Sequence, residues 1–465
     1  MKAYVTMAAL CGLFLLGCRD RAQRRRPLLR VYPLIGRFSR LVVRFSRRVD
    51  PSSHRAGPFT SSDMRDIRTR ALTGASAASF GSPPPPTGPA RPLAADIAVV
   101  PVAPLPSRGV TLDGSDGRER LMAHLNFGAM GYGPVSANTI RAVALAAADV
   151  GCHQNTGEEG ILGILGIHLD GGTSAPFVWQ IGTGYWGCRD ADGSFCRDAY
   201  VRTAALSQVD CIELKLSQGG KPGAGGMLPA RKNTRSVARA LGVAPFTDVV
   251  SPPQHSAFDS TESMLEHVAL MTELSGGKPV GVKLCVGSRR SARALVCAII
   301  RTGISPAFIT VDGAEGGTGT SIRELQDHAG MPAFEALRLL HEELGQSGQR
   351  ERVRLFVSGG VKNGFDLFTM LCLGADACFF TRAPLIAMGC VQARLCHTGT
   401  CPSGIAAQSL WSRSAVHPPT QGRQLAAYHR TVTDGLAQLM RACGRRTVSE
   451  LDASCLIRPD GHPYS

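Results

Sequence analysis

Short apolar runs recur along the chain from about residue 120, and each ends in a loop rich in glycine or polar residues. The runs are 121–130, 177–184, 211–220, 248–253, 279–287, 307–317, 354–364 and 377–384. Helix-like stretches lie between several of them, at 136–150, 261–274, 289–301, 332–345 and 364–373. Continuous apolar runs without clean alternation are typical of strands buried on both faces, as in parallel sheets.

Eight such runs with intervening helices predict a (β/α)8 barrel, and a doubly wound open sheet is the main alternative. A barrel binds its ligands at the carboxyl ends of its strands. In this chain those ends carry the informative residues. We therefore expect the functional site there.

The N-terminal part has a different pattern. Ala3 to Cys18 is apolar, and five arginines follow it. We interpret residues 1–26 as a membrane anchor that leaves the body in the cytoplasm, because the basic residues lie on its C-terminal side. A cleaved signal peptide and an organellar targeting segment are alternatives. Residues 33–49 alternate apolar and arginine positions at helical spacing, which is typical of a helix on an anionic membrane surface or of one packed on the body.

These patterns divide the chain into four segments. Residues 1–26 are the anchor, and 27–94 hold the basic amphipathic segment and a proline-rich linker. Residues 95–420 form the barrel, including a cysteine-rich loop at 390–401. Residues 421–465 are a C-terminal helical tail.

Composition narrows the possible functions. The 465 residues are 44% hydrophobic and 19% charged, which excludes a disordered chain. The net charge is +15, but residues 1–90 hold 16 Lys and Arg against 4 Asp and Glu. The body is thus nearly neutral, and we expect no nucleic-acid binding. Fifteen cysteines are too few for a disulfide scaffold and suit reduced thiols, a metal site or a cluster.

Four stretches at strand ends bear on ligand binding, and three of them are rich in glycine. Gly182 to Gly187 matches G-x-G-x-x-G, but the following residues are loop-like, so we reject a nicotinamide site. Ser358-Gly359-Gly360 and Thr381-Arg382 follow the last two strands, where barrels commonly cradle a phosphate. The loop that begins at Asp312-Gly313 is rich enough in glycine to approach a flat ring or to act as a lid.

Cys390, Cys396 and Cys401 are spaced C-x5-C-x4-C within one loop. Three thiolates suit an iron–sulfur cluster with three protein-ligated irons. A zinc site completed by His397 and unligated buried thiols are the alternatives.

Several stretches together resemble the FMN-binding domain of glutamate synthase, and most closely stand-alone FMN-binding glutamate-synthase-like proteins. These stretches are HQNTGEEGI (153–161), WQIGTGYWGCRDADG (179–193), IELKLSQGGKPGAGGMLP (212–229), ISPAFITVDGAEGGTGT (304–320) and APLIAMGCVQARLCHTGTCPSGIA (383–406). The resemblance implies an FMN-binding (β/α)8 barrel with a [3Fe–4S] cluster on Cys390, Cys396 and Cys401.

The resemblance also implies roles for single residues. Gln218 and Lys221 would hold the 2-oxoacid end of the substrate, with Glu158 beside them, and Lys283 would lie near the flavin pyrimidine edge. The expected catalytic residues are therefore Lys221, Gln218, Glu158 and Lys283. The expected FMN contacts are Asn126, Phe127, Gly128, Gln180, Lys283, Asp312, Gly313, Ser358, Gly359, Gly360 and Thr381.

The sequence departs from the family pattern in places. Two extra residues lie near Gly131 to Gly133, and the family's GEGG is GEEG here, at 157–160. Asn126 stands where relatives have serine, and Ala224 where they have a polar residue.

The resemblance implies an oxidoreductase that reduces a 2-imino acid, 2-iminoglutarate in the family. A ferredoxin-like protein or an NAD(P)H-oxidising subunit would supply electrons. We expect no amidotransferase domain in this chain, so ammonia would come from solution or from a partner amidotransferase. The alternatives are an FMN-dependent oxidase or dehydrogenase of another small acid, and a membrane-tethered electron-transfer protein.

Overall fold

The computed structural model describes residues 2–38, 59–76, 94–105, 109–171, 175–317, 320–458, 462 and 464. Within these residues, eight parallel strands close into a barrel. They are β1 Leu125–Phe127, β2 Gln154–Asn155, β3 Phe177–Ile181, β4 Val209–Lys215, β5 Val280–Leu284, β6 Phe308–Asp312, β7 Arg354–Ser358 and β8 Ala377–Phe380. The prediction of a (β/α)8 barrel is confirmed, and the alternative prediction of a doubly wound open sheet is wrong.

One principal helix follows each strand and packs outside the barrel. These helices are α1 Ala137–Val150, α2 Ile161–Gly171, α3 Arg197–Ala204, α4 Thr261–Leu274, α5 Arg289–Thr302, α6 Ala333–Gln346, α7 Gly364–Cys372 and α8 Pro418–Ala442. Capping residues mark the helix ends. At the start of α5, the Ser288 hydroxyl accepts a hydrogen bond from the Ser291 amide, and after its last residue Gly303 adopts a φ of 69°.

Shorter elements complete the fold. The short helices are Pro27–Val31, Ser61–Thr73, Arg235–Leu241, Arg323–His328, Arg382–Ala387 and Leu410–Arg413. The 3₁₀ turns are Ile35–Arg37, Arg350–Arg352, Cys396–Thr398, Val448–Glu450 and Ala453–Cys455. Two-stranded antiparallel pairs join Ala94–Ala95 to Leu456–Ile457, Val110–Asp113 to Glu119–Met122, and Met227–Leu228 to Val249–Val250.

The lower barrel interior is apolar. Phe308 stacks on Phe356 at 4.7 Å, and Phe379 lies 5.8 Å from Phe356. Leu112 and Met122, from the antiparallel hairpin that precedes β1, join the same buried cluster. The hairpin therefore closes the amino-terminal end of the barrel. Ligands can bind only at the opposite, carboxyl-terminal end.

One strand prediction was wrong. Residues 248–253 do not enter the barrel, since Val249–Val250 pairs with Met227–Leu228 outside it. The missing barrel strand is β2, which is two polar residues long. The buried Asn155 amide donates to Glu213 at 2.7 Å inside the barrel, so this position needs no apolar side chain.

The N-terminal prediction was wrong in part. A helix covers Lys2–Ala22, yet across the described ranges no helix combines the length and apolar character needed to cross a membrane. The anchor expected at 1–26 is therefore not supported. Of the helix expected at 33–49, the described residues form a 3₁₀ turn, Ile35–Arg37, and residues 39–49 lie outside the described part.

Two segment boundaries also differ from the prediction. The region assigned to amphipathic segment and linker, 27–94, contains the helix Ser61–Thr73, which packs against α8 and the helix Arg382–Ala387. Helix α8 begins at Pro418 and packs between α1 and α7. It is the eighth barrel helix, so the predicted boundary at 420/421 cuts through it.

Candidate active site

Most of the expected site residues meet at one end of the barrel. The eight strands are parallel, so their carboxyl ends share one rim. The predicted residues at or just beyond this rim are Gly128, Glu158, Gln180, Gln218, Lys221, Lys283, Asp312, Gly313, Ser358, Gly359, Gly360 and Thr381.

A buried carboxylate organises the polar layer below the rim. Glu213 accepts hydrogen bonds from Asn155 at 2.7 Å, Gln180 at 2.6 Å and Thr310 at 2.6 Å. Three donors compensate the burial of one carboxylate and fix the side chains of β2, β3, β4 and β6 relative to each other. Gln180 thus has its side-chain amide committed to Glu213.

The central ion pair of the site joins Lys215 to Glu158. The Lys215 Nζ donates to Glu158 Oε1 at 2.6 Å and to Gln218 Oε1 at 3.0 Å. Burial alone would raise the pKa of Glu158, but the adjacent Lys215 ammonium holds that pKa below its ordinary value. Burial would likewise lower the pKa of Lys215, and Glu158 outweighs it, so the pKa of Lys215 is raised. Both side chains are therefore charged at neutral pH.

Two glycines admit the Glu158 carboxylate. A Cβ at Gly182 would lie 2.1 Å from Glu158 Oε2, and one at Gly226 would lie 2.9 Å from Oε1. Gly182 opens the G-x-G-x-x-G stretch, so this motif makes room for a carboxylate in the barrel rim. Residues 182–187 are followed by a turn and not by a helix. A dinucleotide site needs a helix there, so the structure agrees with the rejection of such a site.

Lys221 lies buried beside this pair, 4% exposed. Its Nζ donates to the Gly225 carbonyl at 3.2 Å. Burial, together with the charge of Lys215, lowers the pKa of Lys221. A carbonyl satisfies only part of an ammonium's three donors, so Lys221 can bind an incoming carboxylate.

A second charged group lies on the neighbouring strand β5, where Lys283 is the register partner of Lys215. Lys283 Nζ is 3.5 Å from Asp312 Oδ1 and 3.5 Å from Ser358 Oγ. Asp312 also accepts from the Gly219 amide at 2.8 Å. A Cβ at Gly219 would lie 1.8 Å from the Gly313 carbonyl oxygen, so the loops after β4 and β6 are in close backbone contact.

The turn after β7 has an unusual backbone. Gly359 and Gly360 adopt φ values of 111° and 78°, and no atom lies within 4 Å of a Cβ built at Gly359. Gly128 lies against Thr381, whose hydroxyl would be 2.3 Å from a Cβ there. This turn resembles a phosphate cradle in three ways: both glycines have positive φ values, open space lies beside Gly359, and the Thr381 hydroxyl is nearby.

Besides Gln180, two of the expected flavin contacts have side chains that are engaged elsewhere. The Phe127 side chain stacks on Phe380 at 5.2 Å and packs near His429 of α8, because strand alternation directs it outward. Asn126 accepts from the His153 amide at 3.0 Å and donates to the Ala123 carbonyl, so it ties β1 to β2. Any contact of Phe127 with a flavin would therefore come from its backbone, and the expected contact stays a prediction.

The three predicted cluster cysteines lie on one loop, residues 390–401, hereafter the cluster loop. Burial and the proximity of Cys396 and Cys401 raise the pKa of Cys390 to about 12. Burial and Cys401 raise the pKa of Cys396 to about 11. The three thiols are thus close enough to repel one another as anions. Among the described residues, no group of three His, Cys, Asp or Glu side chains is arranged to hold a metal ion.

The cluster loop is braced from two sides. Arg68, on the helix Ser61–Thr73, donates to the Cys390 carbonyl at 2.8 Å. Lys232 donates to the Cys396 carbonyl at 2.6 Å and to the Pro134 carbonyl at 2.7 Å. Burial lowers the pKa of Lys232 to about 8, although Cys396 and Cys401 act to raise it. A buried cation therefore joins the cluster loop to the loop after β1.

Sequence reasoning missed Lys215, Glu213, Lys232 and Arg68. Glu213 and Lys215 stand two residues apart in an apolar strand, and that spacing places both on one strand face. A charge at two alternate positions of a buried strand was the available signal. Arg68 gave no such signal in the sequence, because its helix lies in a segment without a clear apolar stripe.

Comparison with known proteins places the fold in a family. The family model described as "Conserved region in glutamate synthase" matches residues 110–446. The glutamate synthase large subunit-like protein YerD of Bacillus subtilis is 33% identical over 320 residues, which cover 68% of this chain and 59% of that protein. The archaeal glutamate synthase [NADPH] of Archaeoglobus fulgidus is 30% identical over 326 residues, 70% of this chain and 60% of that one.

The chain thus spans about three fifths of the length of these relatives. Among solved structures, a flavocytochrome b2 variant matches with a TM-score of 0.48 at 14% identity, covering 87% of this chain and 81% of that one. A likeness at that level does not bear on cofactor or substrate.

Proposed function

Because this chain belongs to the glutamate synthase family, we propose that it is an oxidoreductase that reduces a 2-imino acid to an amino acid with FMN and a [3Fe–4S] cluster. By family resemblance the product is glutamate. The observation that carries the proposal is the row of buried charges at the barrel mouth. Lys215 pairs there with Glu158, and Lys221 lies beside them. On the neighbouring strand, Lys283 lies 3.5 Å from Asp312.

The residues at the mouth suit an α-imino acid. Lys221 pairs with the substrate carboxylate, since its ammonium has donors to spare and burial strengthens the attraction. Lys215, held by Glu158 and Gln218, presents its remaining donor to the imine end. Fixing both ends of a small substrate reduces the entropic cost of reaching the reactive geometry.

The described residues fit FMN. The Gly359–Gly360 turn with Thr381 offers the phosphate cradle, and Lys283 offers a buried cation. When bound, FMN supplies a hydride to the imine carbon, and the cluster supplies electrons one at a time. Lys283 would favour an anionic reduced flavin.

The cluster loop offers three thiols, the ligand set of an iron–sulfur cluster with three protein-ligated irons. The three closely spaced thiols support the cluster.

The electron donor and the nitrogen source are proposed from relatives. Archaeal-type relatives carry NADPH in their names, and a rice relative is named ferredoxin-dependent. We propose a ferredoxin-like or NAD(P)H-oxidising protein as donor, and free ammonium or an amidotransferase as nitrogen source. We also propose contact with the cytoplasmic membrane surface through exposed apolar side chains of the N-terminal helix, such as Leu10 and Phe14, to be tested by co-sedimentation with anionic vesicles.

Anaerobic reoxidation tests the central proposal. The purified protein is first characterised by absorbance and EPR spectra, then photoreduced and mixed with 2-oxo acids and ammonium. Reoxidation that requires both reactants, with formation of the amino acid, is expected. A colourless anaerobic preparation, or a reduced flavin indifferent to every 2-oxo acid plus ammonium, would overturn the proposal.

A further inference from the structure

A basic surface lies beside the cluster loop. Residues 229–247 hold four basic residues and no acidic one. Three of the four are exposed arginines, Arg231, Arg235 and Arg239, hereafter the arginine patch. Arg235 and Arg239 stand about one turn apart on the short helix Arg235–Leu241, whose other face is buried. The patch therefore presents its positive charge to solvent.

An exposed aromatic side chain accompanies the arginine patch. Phe246 is 60% exposed and adopts a φ of 63°, a backbone region that bulky residues rarely occupy. The buried Asn233 holds this conformation, since its carbonyl accepts from the Phe246 amide at 2.8 Å. Its side-chain amide donates to the carbonyls of Ala244 at 2.8 Å and Thr247 at 3.0 Å. A strained backbone that keeps an aromatic ring in solvent points to a binding role for that ring.

A single buried residue joins this surface to the cluster loop. Lys232, between Arg231 and Asn233, donates to the Cys396 carbonyl at 2.6 Å. A Cβ at Gly399 would lie 3.7 Å from Lys232 Cγ and 3.9 Å from the Arg231 carbonyl oxygen. The backbone that carries the arginine patch is therefore in contact with the cluster loop.

The chain's own N-terminal segments cover another side of the cluster loop. Arg68 donates to the Cys390 carbonyl at 2.8 Å. The Gln392 side chain accepts from the Phe59 amide at 3.1 Å and donates to the Phe59 carbonyl at 2.9 Å. A partner that must come close to the three thiols is therefore directed away from this side and toward the arginine patch.

We propose that the arginine patch and Phe246 form the docking surface for an acidic protein that carries a one-electron redox group. The inference rests on the proposed function and states where its electron donor binds. Positive charge beside the cluster loop steers an acidic partner to it, and arginine and aromatic side chains are the types enriched in protein interfaces. Weak electron-transfer contacts bury little surface, so a patch of this size suffices.

The electrons balance over two encounters. In each encounter one donor molecule is oxidised and transfers one electron to this protein. Two such electrons, with two protons from solvent, reduce one imine to one amine. The donor must therefore leave between encounters, as a weak, charge-steered contact allows.

Binding of a defined acidic carrier and electron transfer from it test the inference. The probe is an acidic plant-type [2Fe–2S] ferredoxin. Its oxidised form is titrated into the full-length, cofactor-loaded protein by isothermal titration calorimetry, so this measurement requires no turnover. Its reduced form is mixed with the oxidised protein in an anaerobic stopped-flow instrument, and reduced methyl viologen, which is small and cationic, serves as the control donor.

Two variants and one control are compared. The first variant combines Arg231→Gln with Arg235→Gln, and the second is Phe246→Asn, because asparagine tolerates the left-handed region. Arg202→Gln, at an exposed position near the end of α3, removes the same kind of charge elsewhere. Circular dichroism and cofactor content establish that each variant is folded and loaded.

At low ionic strength, the double arginine variant is expected to bind ferredoxin about tenfold more weakly, and Phe246→Asn about threefold. Reduction by ferredoxin should slow by similar factors. Added salt should slow wild type more than the double arginine variant, because salt screens exposed charges. Reduction by methyl viologen should stay within about twofold of wild type in every variant, and Arg202→Gln should match wild type throughout.

Three results would overturn the inference. The first is an unchanged affinity and rate with ferredoxin in either variant. The second is a wild type that methyl viologen reduces and ferredoxin does not. The third is a double arginine variant that loses co-sedimentation with anionic vesicles but is reduced by ferredoxin as fast as wild type, since the arginines would then serve a lipid surface. If neither donor reduces wild type, the proposed function itself fails.

Discussion

Replacement of Glu158 by glutamine tests whether the Lys215–Glu158 pair is a fixed, charged unit. The substitution keeps the shape and an acceptor oxygen but removes the charge opposite a buried ammonium. Lys215 would retain its hydrogen bond to Gln218 Oε1 at 3.0 Å. It would lose the charge-assisted bond of 2.6 Å.

The magnitude follows from these contacts. Removing one partner of a buried ion pair costs about 3–5 kcal/mol, and retained neutral hydrogen bonds recover about 1 kcal/mol. We therefore expect Glu158→Gln to lower the free energy of unfolding by about 2–4 kcal/mol. In a double-mutant cycle with Lys215→Met, the two effects should be non-additive by more than about 1 kcal/mol, because the partners are in contact.

Urea denaturation followed by circular dichroism measures these values. The exposed pair of Arg430 with Asp149, at 2.8 Å, provides the control. Asp149→Asn should change the stability by less than about 1 kcal/mol, because exposed pairs contribute little. A Glu158→Gln variant as stable as wild type, or strictly additive effects in the cycle, would refute the reasoning.

The pH dependence of this stabilisation follows from the two shifts. The pKa of Glu158 is held below 4.5, so its contribution is present above pH 4.5 and is lost as the pH falls through the lowered pKa. The pKa of Lys215 is raised above 10.5, so its contribution is present below pH 10.5 and is lost as the pH rises through the raised pKa. Burial and the charge of Glu158 also raise the pKa of Glu159 to about 7, so the difference between wild type and Glu158→Gln should change up to about pH 7 and stay constant from there to pH 10.5.

Three further outcomes are expected. Gly182→Ala would place a Cβ 2.1 Å from the Glu158 carboxylate and should weaken 2-oxo acid binding in calorimetry by about tenfold. Gly287→Ala, where the Cβ meets open space, should not. Lys283→Met should make the flavin reduction potential, measured by spectroelectrochemistry, more negative. An unchanged potential would mean that the Lys283 ammonium does not act on the flavin. Arg68→Met should lower the iron affinity of the cluster loop about tenfold in anaerobic reconstitution, and full loading would contradict a bracing role.

The barrel could be predicted because most of its elements bury continuous apolar surface. The helix expected at 261–274 matches Thr261–Leu274, and that at 289–301 matches Arg289–Thr302. Seven of the eight proposed strands lie in the barrel for the same reason. The place of the site followed from the architecture, since the carboxyl ends of the strands converge in any such barrel. The single site residues followed from the family resemblance.

Other features could not be predicted because their stability comes from partners distant in sequence. Strand β2 is held by bonds that Asn155 makes across the barrel, which no local apolar pattern records. The helix Ser61–Thr73 lies in a charged segment, and its cap at Thr60 was recognisable only once a helix was suspected. The outward orientation of Phe127 depended on the phase of a three-residue strand.

The three loops that the proposed reaction needs are mechanically linked by this chain's own side chains. The Gly219 amide, in the loop after β4, donates to Asp312 at 2.8 Å. Arg382, between the phosphate cradle and the cluster loop, donates to the Gly317 carbonyl in the glycine-rich loop at 3.0 Å. Lys232 joins the cluster loop to the loop after β1. Each of these links is buried or involves a backbone group. A shift of one loop must therefore strain the hydrogen bond to the next loop. We expect substrate binding and the environment of the three thiols to change together.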